Sequence, residues 1–385
     1  MKGLQRVCLF LAIIFSLTFF LSSNVVKADV LEEISAKSAI LVDANTGQVL
    51  FEKNSHDKAY PASVTKIMTL LLTMEAIKSG KLNLDDKITI TADSAKIEGT
   101  KLFLDAGEVR TVEDLVYGVA VESGNDASNA LGVHIGGSLS GFVDMMNERA
   151  SQLGMNDTHF ANTHGLHEEN HYTSAYDVAL MSRALLKHEE ILKYSNTWMI
   201  DVYVGKNNHI KRTLANTNKL IRKGNVDGLK TGYTIEAGHC ISATGKENEL
   251  RVISVIMGGK DAQTRFDEAE KLLNHGFSRY QAAVPARAGD IIATANVYKS
   301  KSGYVGATIS QDIYQLVEKG HDSNFTLEAI LDDDLVAPLN KGDVIGKIKV
   351  SIGNNEITNV NAICSEDVPK SSFLDYLKTI TKTVI

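Results

Sequence analysis

The amino-acid sequence predicts an α+β chain followed by a small all-β module. Three observations carry this. Strand signals at 39–42 and 49–52 flank the turn Asn45-Thr46-Gly47, and more strand-like runs return at 241–244 and 251–257. The stretch between them has helical periodicity. From Pro285 onward the chain breaks into short alternating runs separated by glycine turns.

Each element has its own local reason. Apolar residues at 67, 70, 71, 74 and 77 recur at helical spacing, and Pro61 suits the first turn. Thr111-Val112-Glu113-Asp114 has the pattern of a capping box, with Leu115, Val116 and Val119 following. Asn125-Asp126 reads as the cap of a helix over 127–134, which leaves Ser123 and Asn125 on a loop between helices. Asp227-Gly228 marks a turn before an edge strand at 229–233. A helix over 267–275 closes this part. Runs at 291–297, 306–309, 313–316, 325–331 and 344–350 make the all-β module, after a turn or linker at 284–290. The expected organisation is a first domain at 29–280, an all-β domain at 285–366 and an amphipathic helix at 371–385.

The N-terminus reads as a secretory signal. Lys2 and Arg6 precede an apolar run over 7–21, and Val26-Lys27-Ala28 offers a small-residue cleavage site. Cleavage after Ala28 removes Lys2, Arg6, Lys27 and no acid. That leaves 37 basic and 47 acidic residues, a formal charge of −10 against −7 for the whole chain. This balance argues against nucleic acid as a partner, which wants a basic face. A hydrophobic content of 44% in 385 residues suffices for two packed domains. Cys8 leaves with the signal. Cys240 lies in an apolar strand and reads as a small core residue, and a disulfide to Cys364 would have to cross domains.

Three triplets carry chemistry. Ser63-Val64-Thr65-Lys66 places an amine one helical turn from a hydroxyl, close enough to take its proton. At a helix start, Ser63 has the positive end of the helix dipole beneath it and a free amide for an oxyanion. A second oxyanion donor would come from an amide just after Lys230-Thr231-Gly232, on the edge strand. Lys66 is the expected general base, because burial beside Lys230 would lower its pKa. Ser123 of Ser123-Gly124-Asn125 can relay a proton to a leaving amine, and Asn125 can hold Lys66 and a substrate amide. Lys230 and Thr231 supply a charge and a hydroxyl for a substrate carboxylate. None of these roles asks for a cofactor or a metal.

Together these residues resemble low-molecular-mass penicillin-binding proteins, the serine-type D-alanyl-D-alanine carboxypeptidases of the peptidase S11 family. Supporting stretches run along nearly the whole chain. They include Ala39-Ile40-Leu41-Val42-Asp43-Ala44-Asn45-Thr46-Gly47, Asn162-Thr163-His164-Gly165-Leu166, Tyr172-Thr173-Ser174-Ala175-Tyr176-Asp177 and Arg265-Phe266. Gly124 in the second motif fits these enzymes better than β-lactamases, which carry aspartate there. The resemblance implies a β-lactamase/penicillin-binding (serine transpeptidase-like) catalytic domain. It implies release of the terminal D-alanine from peptidoglycan pentapeptide stems through an acyl-enzyme on Ser63, and covalent capture of β-lactams. It adds Arg265 and His164 to the substrate-binding set beside Lys230, Thr231 and Gly232. It also implies a β-domain that holds the enzyme off the membrane, and a C-terminal helix on the outer face of the cytoplasmic membrane. That helix would present Phe373, Leu374, Leu377, Ile380 and Val384, with Lys378 and Lys382 opposite.

Three rival readings stay open at the level of sequence. The loop from His164 to His171 holds three histidines and two acids within eight residues, a spacing that can bind zinc for a metallopeptidase. A β-lactamase of the same fold would share the motifs. A catalytically silent wall-binding module is the third.

Overall fold

A computed structural model describes residues 34–320, 324–353 and 355–375. The expected signal segment at 1–28 and residues 376–385 of the expected C-terminal helix lie outside the described residues.

The chain opens with the hairpin β1 (Ser38–Asp43) and β2 (Val49–Lys53). The Asp43 carboxylate ties the turn by accepting from the Thr46 amide at 2.9 Å. A single 3-10 turn, Ala62–Thr65, leads into α1 (Lys66–Lys78). Small strands β3 (Lys87–Thr89) and β4 (Val109–Thr111) flank α2 (Ala92–Lys96). In α3 (Val112–Tyr117) the Thr111 hydroxyl caps the Asp114 amide at 3.1 Å, as the capping pattern predicts. A π-turn, Gly118–Glu122, ends at Ser123. Helices α4 (Asn125–Gly136), α5 (Leu139–Gln152), α6 (Ala175–Leu186) and α7 (Ile191–Ser195) follow. The hairpin β5 (Met199–Val204) and β6 (Ile210–Ala215) precedes three long strands, β7 (Val226–Thr234), β8 (Gly238–Glu247) and β9 (Leu250–Gly259). Helix α8 (Ala262–Arg279) then packs on β8 and β9.

The main sheet is antiparallel in the order β2-β1-β9-β8-β7. Its two ends of sequence therefore meet at its centre, and β7 is left as an edge. Helix α1 is the pivot of the helical part. The sequence predicts one apolar face, yet every residue from Lys66 to Met74 is buried. Neighbours on all sides make this possible, and polar members are satisfied individually. The Thr69 hydroxyl donates to the Thr163 carbonyl at 2.6 Å, and Thr73 to the Thr69 carbonyl at 2.8 Å. Ile67, Met68, Leu71, Phe142, Phe160 and Tyr194 anchor the core around it.

The later strands form a second core. β10 (Tyr280–Ala286) pairs with β13 (Ile313–Glu318). β11 (Ala293–Asn296), β12 (Tyr304–Thr308), β14 (Phe325–Leu331), β15 (Val344–Ile352) and β16 (Asn355–Cys364) form a sheet in the order β11-β12-β16-β15-β14. Because β10 runs to Ala286, the turn expected from 284 begins later. The sequence reading has no strand at β16. It is polar along most of its length, and only Ala362 and Cys364 are buried. Cys240 and Cys364 are both free and buried. The Tyr314 hydroxyl donates to Asp43 at 2.9 Å, joining β13 to the first hairpin turn.

The β5–β6 hairpin is also absent from the sequence reading, since few of its side chains are buried. It is anchored from β4. Arg110 is buried, donates to the Tyr203 and Gly205 carbonyls and to Asn208, and has its Nε 2.6 Å from the Glu108 carboxylate, a Coulombic contact without hydrogen-bond alignment. Glu108 also accepts from the Gly205 amide at 2.9 Å. Replacing Glu108 by alanine leaves a buried guanidinium without its counter-charge. The expected cost is about 3–5 kcal/mol of folding stability, read by urea unfolding of Glu108→Ala against wild type. A change near zero would show that the pair anchors nothing.

Candidate active site

The three motifs converge. Ser63 sits inside the 3-10 turn rather than on the first turn of α1, with Lys66 as the first residue of that helix. The tighter turn still leaves Lys66 Nζ 3.0 Å from Ser63 Oγ. Ala62, next to the nucleophile, has φ +48°, a left-handed conformation that a non-glycine residue adopts only under constraint from its surroundings. The constraint comes from two sides. Gly165 packs so closely that a Cβ there would lie 1.7 Å from the Ala62 carbonyl oxygen. Gly232 on β7 lies so near that a Cβ would be 2.9 Å from both the Pro61 carbonyl oxygen and the Ser63 amide nitrogen. Glycine at both positions lets a loop and an edge strand clamp the turn.

The Lys66 side chain is fully buried, and its Nζ has three partners. Besides Ser63, it donates to Asn125 Oδ1 at 2.7 Å and to the His164 carbonyl at 2.8 Å. Asn125 is oriented from its other end, donating through Nδ2 to the Glu98 carbonyl at 2.7 Å. The sequence reading made Asn125 a helix cap. The structure corrects this: Gly124 is the N-cap residue and Asn125 the first residue of α4, its side chain turned to Lys66. Asp126 is committed elsewhere, accepting from the Leu102 and Leu104 amides at 3.0 and 3.1 Å. Ser123 is not on an open loop but links the π-turn to α4 with φ +70°. Its Oγ is buried and has no hydrogen-bond partner among the described residues.

Electrostatics favours a neutral amine at Lys66. Burial and then the charge of Lys230 push its pKa well below the usual lysine value, against a smaller opposing pull from Asp126. Lys230, also buried, is brought down to about 7 by burial and by Arg265. Lys230 Nζ donates to the Thr231 carbonyl at 3.0 Å. Arg265 is buried, not a surface charge. It donates to the Gly232 and Cys240 carbonyls at 3.2 and 3.3 Å and lies 4.4 Å from the Phe266 ring. Burial brings its pKa to about 10.

His164 is buried, and its contact with the site is through its backbone carbonyl. Its Nδ1 accepts from the Leu166 amide at 3.1 Å. Burial holds the ring neutral, with a pKa near 3. Asn162, which the sequence reading gave no role, shapes this loop by accepting from the His164 and Gly165 amides at 3.3 and 2.7 Å. The three histidines of the loop point to different partners. His171 has Nε2 2.8 Å from Thr65 Oγ1 and Nδ1 accepting from the Ala161 amide at 2.9 Å, while His167 packs edge-on against Tyr60. Among the described residues no three His, Cys, Asp or Glu side chains are placed to hold one ion.

The family model for D-alanyl-D-alanine carboxypeptidase matches residues 23–261, and that for the penicillin-binding protein 5 C-terminal domain matches 280–370. The chain belongs to the D-alanyl-D-alanine carboxypeptidase family. This carboxypeptidase is 39% identical to D-alanyl-D-alanine carboxypeptidase DacF of Bacillus subtilis, over 89% of this chain and 88% of that one. It resembles penicillin-binding protein 5 of Haemophilus influenzae at 34% identity and TM-score 0.70, covering 88% of this chain and 98% of that one. Penicillin-binding protein D2 of Listeria monocytogenes, solved in an ampicillin-bound form, matches at 30% identity and TM-score 0.56, over 63% of this chain and 98% of that one. The carboxypeptidase therefore has the penicillin-binding-protein fold with an all-β C-terminal domain, and it is a hydrolase with a cell-wall role.

The lowered pKa of Lys230 makes stability depend on pH. Between about 7 and 10.5 the unfolded lysine holds a proton that the folded one lacks, so unfolding takes up a proton and stability rises with pH through this window. Lys230→Gln is expected to flatten that rise, measured as urea unfolding at several pH values. Identical slopes in both proteins would mean Lys230 is not depressed.

Proposed function

We propose that Ser63 carries the acyl group and that Lys66 is its general base. The observation behind this is the partner set of Lys66. A neutral amine there donates to Asn125 Oδ1 and to the His164 carbonyl, and its remaining lone pair meets the Ser63 hydroxyl. Two donors and one acceptor suit an amine that must take a proton. A stem peptide ending in D-Ala-D-Ala enters with its carboxylate toward Lys230, Thr231 and Arg265. Ser63 attacks the penultimate carbonyl, whose oxygen gathers charge beside the Ser63 amide and β7. The buried, unpartnered Ser123 hydroxyl passes the proton to the leaving D-alanine. Water then releases the acyl group. A β-lactam acylates Ser63 by the same steps.

Incubation with benzylpenicillin is expected to add one drug mass to a peptide containing Ser63, and Ser63→Ala is expected to lose both this adduct and D-alanine release. An adduct that persists in Ser63→Ala overturns the assignment.

We further infer that the protein is exported by its first 28 residues and rests on the outer face of the cytoplasmic membrane through residues 371–385. Phe373 and Leu374, at the start of this segment, are exposed. About 15 residues of helix rise only about 23 Å, short of the ~30 Å hydrocarbon core, so the segment suits the interface and not a span. No helix among the described residues is long and apolar enough to cross a membrane. Truncation after Pro369 is expected to release the protein from anionic liposomes while D-alanine release continues. If the untruncated protein does not sediment with such liposomes, the tether is wrong.

A further inference from the structure

We propose that Thr217 completes the carboxylate subsite as its hydroxyl donor, held in place by the hydrogen bond it accepts from Thr231. The inference rests on the carboxylate subsite lying at Lys230 and Thr231.

Thr217 belongs to none of the three motifs, yet it joins two of them. Thr231 Oγ1 donates to Thr217 Oγ1 at 2.8 Å. The Thr217 amide donates to the Val121 carbonyl at 3.2 Å, two residues before Ser123. The residue thus stands between the turn that presents Ser123 and the strand that presents Lys230 and Thr231.

Its position is rigidly built. Asn216 and Asn218, on either side, are both buried. Asn216 Nδ2 donates to the Ser195 and Thr197 carbonyls, both at 2.9 Å. Its Oδ1 accepts from the Asn218 amide at 2.8 Å. Asn218 Nδ2 donates to the Gly228 carbonyl on β7 at 2.9 Å. Two buried amides therefore fix the backbone on which the Thr217 hydroxyl is carried, while Thr217 itself stays partly exposed.

The consequence is a matter of counting protons. Each hydroxyl has one to give. In a pair, one proton is spent inside the pair and one remains for a ligand. Alone, the Thr231 hydroxyl is free to rotate, and it presents lone pairs to a carboxylate as readily as its proton. Coupled to Thr217, Thr231 gives its proton to the pair, and the Thr217 hydroxyl is the donor that remains for a carboxylate. A hydrogen bond from a neutral donor to a charged acceptor is among the stronger ones, so losing it should be visible in carboxylate recognition.

The test compares two substrates in each protein: a peptide ending in D-Ala-D-Ala, and the same peptide with its terminal carboxylate converted to an amide. The readout is the ratio of kcat/KM for acid over amide. This ratio is taken within one sample, so partial unfolding of a variant cancels. Thr217→Val is expected to lower the ratio about tenfold, a loss of about 1.4 kcal/mol, mainly through KM for the acid, and Thr217→Ser to restore it to within about twofold of wild type. An unchanged ratio in Thr217→Val overturns the proposal, and so does a Thr217→Ser ratio as low as that of valine. If Lys230→Ala also leaves the wild-type ratio unchanged, the carboxylate subsite itself is misplaced and the failure lies with the proposed function.

Discussion

A lysine side chain sealed inside the protein sets the terms for the rest of the site. The Lys66 side chain is fully buried, and burial penalises its charge heavily. Everything around it answers this cost. Asn125 offers an oxygen and is turned to do so by the Glu98 carbonyl behind it. The loop at 162–166 offers a carbonyl and is itself locked by Asn162, Thr69 and Ser128. Nearby Lys230 is depressed in turn by burial and Arg265. Burial holds both lysines toward the neutral state, with the charge of Lys230 adding to it at Lys66 and that of Arg265 at Lys230.

The same enclosure explains the backbone strain. Ala62 and Ser123 both adopt positive φ, and each lies in a motif or beside one. Such conformations persist only where the surroundings fix them. At Ala62 the fixing contacts are visible: Gly165 on one side and Gly232 on the other leave room for nothing but hydrogen. The glycine of the third motif thus has a steric duty at the nucleophile, besides lying on the strand that carries Lys230.

Much of this was legible from residue types alone. Ser63, Lys66, Ser123, Asn125 and Lys230 stood out because their chemistry is unusual at those spacings, and the structure brings them to one place. The central sheet was legible because β1 and β9 are largely apolar and the first hairpin turn carries Asn-Thr-Gly; Asp227-Gly228, read as a turn, instead lies inside β7, and the turn falls at Gly224-Asn225. What stayed hidden depends on contacts between distant segments. Asn162, Asp126 and Thr217 are ordinary polar residues until their partners, among them Gly165, Leu102 and Thr231, are known. β16 and the β5–β6 hairpin were missed because their stability comes from neighbours and not from their own apolar content. Asn125 was misread as a cap because asparagine is a good cap, and only the nearness of Lys66 outbids that preference.

Burial of the two lysines has a consequence for how the protein meets its surroundings. Dissolved ions weaken a charge–charge interaction only where they can gather around it, over a distance of about 8–10 Å in ordinary saline. Lys66 and Lys230 lie behind protein on every side that the structure describes, and their mutual influence passes through low-dielectric matter. The poise of the base is therefore largely a property of the fold and responds far less to salt than surface pairs such as Lys211 with Asp201, which fade as salt is added.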